Sequence, residues 1–233
     1  MAFAVQIRRT LKQIPLVASC MAAVHRVIFE PPSFKTSERY WKARYRRRGN
    51  SGAGSYGQLA EFKARVLNEF VREQGIRSVI EWGCGDGNQQ TLAAYPQYTG
   101  VDISRVAIKM CRARFSSDPS KCFVLYPEAE SQRIQAELAL SLDVIYHLVE
   151  DQTFEKYMQA LSQSGTRYLG IYSSDRDEPG TVPHVRHRSF SAWLQANAPQ
   201  WESVRFVENQ FKYDPADPDQ TSWSDFRFFE RRP

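Results

Sequence analysis

Apolar and polar positions along this chain fall into runs of two different periods. From Ser78 onward, brief stretches rich in aliphatic and β-branched residues occupy 78–82, 98–102, 122–125, 137–142 and 167–173. Between them lie segments with apolar residues at three- and four-residue spacing, among them Val106–Phe115 and Phe154–Leu161. The first kind predicts buried strands and the second amphipathic helices. Strand and helix in alternation imply a parallel sheet covered on both faces. The end of the chain breaks that rhythm. Ser189–Ala198 reads as a helix, and Trp201–Val207 and Asp225–Phe229 then read as strands joined only by a loop, which makes them antiparallel. Upstream, an aromatic and basic helix is expected over Glu38–Arg47, followed by a glycine- and serine-rich loop over 49–57. Ser55 and Gln58 have capping-box spacing, and Leu59, Phe62, Val66 and Phe70 form the apolar face of the next helix, which ends near Gly75.

The chemistry-bearing motif sits at the end of the first strand. Glu81-Trp82-Gly83-Cys84-Gly85-Asp86-Gly87 follows Ser78-Val79-Ile80, and a second acid, Asp102, closes the next strand. Glycines at this position let the chain turn sharply and bring backbone N–H groups against a ligand. An acid at the end of the second strand can accept both hydroxyls of a ribose. A dinucleotide fingerprint would need glycine at position 88, where the chain has Asn88, and a P-loop would need Lys followed by Ser or Thr after its last glycine. Both patterns fail.

What remains, ExGxGxG followed by an acid, resembles the class I S-adenosylmethionine-dependent methyltransferases, and the resemblance runs from about Glu38 to the C-terminus. It implies a doubly wound, mostly parallel seven-stranded α/β sheet of order 3-2-1-4-5-7-6 with a terminal antiparallel hairpin, plus an N-terminal helical extension. It also implies S-adenosylmethionine as cofactor. Glu81 would help to hold the methionine amino group through water or backbone, Gly83, Cys84, Gly85 and Gly87 would pass beneath the methionine part, and Asp102 with Ile103 would bind the nucleoside. Cys84 is expected as the small residue that fits between two glycines, not as a nucleophile. Segments ahead of the first strand often cover the cofactor in this family, which makes Tyr56 a candidate contact.

Ligands of open α/β sheets lie beyond the carboxyl ends of the strands, near the switch between strands one and four. The fourth strand delivers Asp143-Val144-Ile145-Tyr146-His147 to that edge, and a helical turn there would place Asp143 and His147 on one face. His147 is the expected general base, with Asp143 orienting it or the acceptor. His184, in the loop 174–188 with Arg186, His187 and Arg188, is the alternative base. That loop and 209–223, which carries Tyr213, Asp214, Asp217 and Asp219, are expected to form the acceptor wall. The chain lacks an NPPY-like tetrapeptide after strand four, a cysteine nucleophile there and a carboxylate cluster for a metal. A hydroxyl of a sugar or small molecule is left as the acceptor. The YWKARY segment, the GSYG loop and the late YDPADPDQTSW loop look like an uncharacterised bacterial group found with surface-glycan biosynthesis enzymes.

Charge divides the chain. Residues 1–48 carry eleven Lys and Arg against two acids, or +9, and the remaining 185 residues sum to −4 within a total of +5. This suggests a basic arm over 1–48 and a transferase domain over 49–233. Met1–Phe29 has no acid and mixes Arg8, Arg9, Lys12 and Arg26 with Phe3, Ile7, Leu11 and Ile14. An interfacial helix over residues 1–30 in contact with a membrane surface, a transit peptide and a helix packed on the domain all fit this segment. No run is long enough to span a bilayer. Four scattered cysteines without CxxC pairing indicate neither a disulfide framework nor a zinc site, and fit a cytoplasmic, if membrane-peripheral, protein. Nucleic acid is not the expected partner, though an RNA methyltransferase gripping phosphates through Arg44, Arg46, Arg47 and Arg48 is one alternative reading. A cofactor-binding interaction module without catalysis is another.

Overall fold

The computed structural model describes residues 34–232, and the expectations for residues 1–30 lie outside the described residues. From residue 34 on the chain forms one compact unit. Its first element, α1 (Ser37–Arg46), is N-capped by the Thr36 hydroxyl, which accepts from the Arg39 N–H, and it carries Glu38 in its first turn and Arg44 and Arg46 in its last. The Ser37 N–H donates to Glu150 at 3.0 Å, the Ser37 hydroxyl accepts from the Val149 N–H at 3.0 Å, and Tyr40 and Tyr45 are buried. The boundary expected at residue 48 therefore does not separate arm from body, because α1 is part of the body.

The next helix, α2 (Gly57–Glu73), buries the expected stripe of Leu59, Phe62, Val66 and Phe70. Its capping is not as expected. Ser55 closes a short 3-10 turn over Ala53–Ser55, Tyr56 takes the N-cap position with no side-chain bond, and Gln58 donates instead to the Gln220 carbonyl at 2.8 Å. The strands follow the sequence pattern closely: β1 (Ser78–Trp82), β2 (Gln97–Asp102), β3 (Lys121–Leu125), β4 (Ala136–Leu142) and β5 (Gly165–Ser173). They are joined by α3 (Arg105–Arg114), α4 (Tyr126–Gln132) and α5 (Asp151–Ser164). A two-stranded ribbon, β6 (Glu178–Pro179) with β7 (Arg186–His187), then precedes α6 (Phe190–Asn197), β8 (Trp201–Val207) and β9 (Asp225–Arg231).

The seven-stranded sheet has the order β3-β2-β1-β4-β5-β9-β8, parallel through its first five members and antiparallel where β9 inserts between β5 and β8. Counting only the strands of this sheet, the order is the anticipated 3-2-1-4-5-7-6. Alternate side chains of each strand go to opposite faces. Val79, Leu138, Leu140, Phe226 and Phe228 meet α2 and α3, whereas Ile80, Trp82, Ala139, Ile171 and Phe229 meet α5 and α6. On the first side Phe70 stacks on Phe228 with ring centroids 4.0 Å apart.

One acid lies inside this packing. Glu81 on β1 is buried and accepts from the Tyr98 hydroxyl at 2.7 Å. Burial pushes its pKa up to about 7, while the Tyr98 bond and the nearby Lys63 oppose the rise. The folded chain thus keeps a proton on Glu81 that the unfolded chain gives up near 4.5. Its contribution to stability is present below that value and is lost as pH rises toward about 7. Glu81→Gln has no such titration. The stability of this variant relative to the parent, followed by denaturant melts, is expected to improve steadily between pH 4.5 and 7, and a pH-independent difference would contradict the assignment.

Candidate functional site

A cavity of about 380 Å³ opens at the carboxyl edge of the sheet, at the switch between β1 and β4. Its floor is made by Gly83, Gly85, Asp102 and Ile103, and one wall by Leu142, Asp143 and Val144. Tyr126 and Pro127 border it after β3, and Gln152, Lys156 and Tyr157 border it from α5. The volume falls in the range of small-molecule sites, roughly 300–1,000 Å³.

The glycine loop is shaped by contacts that a side chain would destroy. Gly83 and Gly85 have φ of 86° and 59°. A Cβ on Gly83 would stand 2.4 Å from Val144 Cγ2, and one on Gly85 would stand 2.2 Å from Ser51 Oγ and 2.9 Å from the Tyr45 hydroxyl oxygen. Gly87 serves packing instead, since its missing Cβ makes room for Cys111 and Phe115. Cys84 is buried beneath the loop, against the Cys111 thiol, and does not line the cavity. This thiol neighbour and burial push its pKa up, so it is a poor nucleophile, as its position in the motif suggests.

Asp102 anchors the floor. Its carboxylate accepts from the Gly85 N–H at 3.1 Å and the Ser104 N–H at 2.7 Å, which leaves further lone pairs for a ligand in the cavity it borders. Burial pushes its pKa up to about 6 against those bonds. Glu81 behaves differently. It is turned into the core toward Tyr98 and is not among the cavity residues, which leaves the routes through water or backbone for its expected hold on a ligand.

Asp86, which the sequence reading passed over, ties the glycine loop to the segment above it. Its carboxylate accepts from the Ser51 N–H at 3.0 Å and the Tyr56 hydroxyl at 2.8 Å, and its own N–H donates to Ser51 Oγ at 2.9 Å. Burial raises the Asp86 pKa, but these bonds and one from the Asn88 N–H outweigh it and hold the carboxyl below its usual range. Tyr56 is consequently spent on Asp86. Its place as cover is taken by Trp41 and Tyr45 of α1, with Ser51 and Ser55 from the loop. An acid between two glycines of the motif, with a Ser-rich loop upstream, was the signal for this bond.

At the end of β4 the chain does not continue as a full helix. Asp143 has a left-handed φ of 57°, and only a 3-10 turn forms over Ile145–His147. Asp143 is held by Lys63 Nζ at 2.6 Å and by the hydroxyls of Tyr146 and Ser224, each at 3.0 Å. It therefore does not orient His147. Lys63 is 1% exposed and also lies over the Tyr172 ring. Its position, four residues after Leu59 and three before Val66, already placed a charge on the apolar stripe of α2 and implied a buried acidic partner.

His147 borders the cavity, half-buried among Trp41, Tyr146 and His184, with ring centroids 4.8, 4.5 and 5.7 Å away. Its Nδ1 lies 3.0 Å from the His184 carbonyl oxygen. A carbonyl only accepts, so Nδ1 carries the proton and Nε2 keeps a free lone pair. Burial lowers the pKa to about 4, leaving the ring neutral at ordinary pH. His184 itself stacks on Tyr40 at 4.5 Å and does not line the cavity. The two loops expected as the acceptor wall are occupied elsewhere. Arg186 and Arg188 pair with Asp151, His187 bonds Ser174 at 2.7 Å, and Tyr213 packs on Trp223 at 4.2 Å. Neither loop borders the cavity, whose remaining walls come from α1, the segment after β3, the turn with His147 and α5.

No family model and no curated protein matches this chain. Solved structures do. The magnesium protoporphyrin IX methyltransferase of Synechocystis PCC 6803, crystallised with bound SAH, is similar over 83% of this chain and 97% of its own, at 16% identity and a TM-score of 0.58. The N-methyltransferase NodS of Bradyrhizobium japonicum WM9, also in complex with S-adenosyl-L-homocysteine, is similar over 74% and 86%, at 15% identity and a TM-score of 0.58. An S-adenosylmethionine-dependent methyltransferase of Anabaena variabilis ATCC 29413 is similar over 88% and 98%, at 14% identity and a TM-score of 0.61. At these identities the likeness is one of architecture, and that architecture, with its seven-stranded sheet and antiparallel closing pair, is the class I methyltransferase fold.

Proposed function

We propose that this chain transfers the methyl group of S-adenosylmethionine to a hydroxyl of a sugar or other small molecule. The observation that carries the reading is the convergence, in one cavity, of a glycine loop open to close backbone approach, the Asp102 carboxylate and a histidine whose Nδ1 is held by a carbonyl so that Nε2 keeps its lone pair. Two solved neighbours crystallised with S-adenosylhomocysteine share this fold, which supports the reading.

The residues present fit the cofactor. Gly83 and Gly85 admit its methionine part against the main chain, Asp102 accepts from its ribose hydroxyls, and Ile103, Tyr126 and Pro127 offer apolar surface to its base. When bound, S-adenosylmethionine supplies a methyl group activated on a sulfonium. Methyl transfer is an in-line displacement, so the protein's part is to align the acceptor and take its proton. His147 Nε2 has the lone pair for that proton, and the His184 carbonyl holds the ring in the required tautomer. Trp41 and Tyr45 close the cavity from above and keep water from the reacting atoms. What supports a hydroxyl acceptor is the neutral histidine, which can take the proton that a hydroxyl sheds as its oxygen is methylated.

Asp102→Ala is expected to weaken S-adenosylmethionine binding by about 1.5–3 kcal/mol, the worth of hydrogen bonds to a charged group. An unchanged affinity in calorimetric titration would remove Asp102 from the ribose site. His147→Gln is expected to keep that affinity and to slow methyl transfer by about a hundredfold or more. Because the His147 pKa lies at about 4, the pH–rate profile of the parent should show no acid limb at the ordinary histidine value of 6.5. Near-normal turnover by the variant, measured with labelled cofactor against fractionated cell extract, would rule out His147 as the base.

A further inference from the structure

Two helices beside the mouth of the cavity present a single basic surface. The side of α1 with Glu38, Trp41, Lys42 and Tyr45 borders the cavity, and the adjoining flank of the helix carries Arg39 and Arg46 two turns apart, both exposed. Alongside α1 lies α3, whose exposed stripe holds Arg105, Lys109 and Arg112 at i, i+4 and i+7. Residues 34–48 contain seven Lys and Arg against one acid, and residues 103–117 contain four against none. The one acid, Glu38, pairs with Lys42. Arg112 and Arg114 bond a carbonyl and an amide, not a carboxylate. Among the described residues Arg39, Arg105 and Lys109 take part in no salt bridge. So many like charges repel one another, and an anionic partner would relieve that cost.

We propose that this α1–α3 face docks on an anionic lipid bilayer and turns the mouth of the cavity toward it. Surfaces that grip single-stranded nucleic acid interleave cations with exposed aromatic rings on which bases stack. Here the aromatic residues of α1 are turned away from the basic face. Tyr40 and Tyr45 are 5% and 4% exposed, and Trp41 faces the cavity. What stands among the cations instead is aliphatic: Met110 is 37% exposed beside Lys109. The sequence ahead of α1 has the same mixed character, with four cations, no acid and many aliphatic residues over 1–29. Cations combined with apolar side chains suit anionic headgroups above acyl chains. Docking in this orientation rests on the transferase reading only for its purpose, access to an acceptor carried on a lipid.

The test is co-sedimentation of the full chain with vesicles of phosphatidylcholine alone and with about one third phosphatidylglycerol, at low and high salt. Binding is expected only to the anionic vesicles and is expected to fall as salt rises. The double variant Arg105→Glu, Lys109→Glu in the full chain is expected to lose about tenfold or more of that binding while its thermal melt and its affinity for S-adenosylhomocysteine match the parent. A variant that binds vesicles as the parent does would overturn the proposal, since residues 1–33 would then suffice. Equal binding to neutral vesicles would also overturn it, as would tighter binding of single-stranded or duplex RNA at the same ionic strength. Should neither protein bind S-adenosylhomocysteine while the anionic vesicles still discriminate between them, the transferase reading fails and the docking stands.

Discussion

A lysine with 1% of its surface exposed must find a counter-charge inside the protein, and the pair of Lys63 with Asp143 decides how the cleft is assembled. Buried pairs contribute little net stability, but breaking one strands a charge and costs about 3–5 kcal/mol. The pair therefore acts mainly on geometry. Asp143 also accepts from Tyr146 and Ser224, and its N–H donates to the Tyr172 carbonyl at 2.8 Å. Gly54 lies so near that a Cβ there would stand 2.8 Å from the carboxylate. One side chain thus fixes α2, the ends of β4 and β5, the approach to β9 and the turn over 53–55 relative to one another. Its left-handed backbone is the strain that this arrangement accepts.

The second constraint is the seam between the glycine loop and the chain above it. Asp86 engages Ser51 and Tyr56, and Ser51 in turn lies 3.0 Å from the Tyr45 hydroxyl. Side-chain-free backbone at Gly85 is what allows this roof to sit so low. Floor and roof are then joined by hydrogen bonds at one end of the cavity and stay open at the other, where α1, His147 and α5 meet. In the proposed enzyme a cofactor held on the floor would meet its acceptor at that open end.

The strands were legible because buried parallel strands are short apolar runs, and β1 and β8 occupy the predicted residues. The glycine motif was legible for a similar reason: a sharp turn after a strand, with left-handed backbone at Gly83, Gly85 and Gly87, leaves a mark in residue type and spacing. Side-chain partnerships across the fold left fainter marks. The pairing of Asp143 with Lys63 spans 80 residues, and the local proximity of Asp143 to His147 suggested the wrong partner. Ser55 and Gln58 had capping spacing, but the 3-10 turn before α2 moved the cap to Tyr56. The loops over 174–188 and 209–223 carry functional-looking residues that instead hold their own turns and neighbours, a distinction that only tertiary contacts make. Charge composition placed α1 in an arm, whereas its buried Tyr40 and Tyr45 place it in the body.

In the proposed enzyme S-adenosylmethionine or its demethylated product sits between the glycine loop and α1. Amide hydrogen exchange of the chain with and without S-adenosylhomocysteine tests this most directly, because it reads the ligand's position without an acceptor. Slower exchange is expected at residues 83–87, at 102–104 and along 41–52, with the far strands β8 and β9 unchanged. Protection confined to other segments, or no protection at saturating ligand, would contradict it.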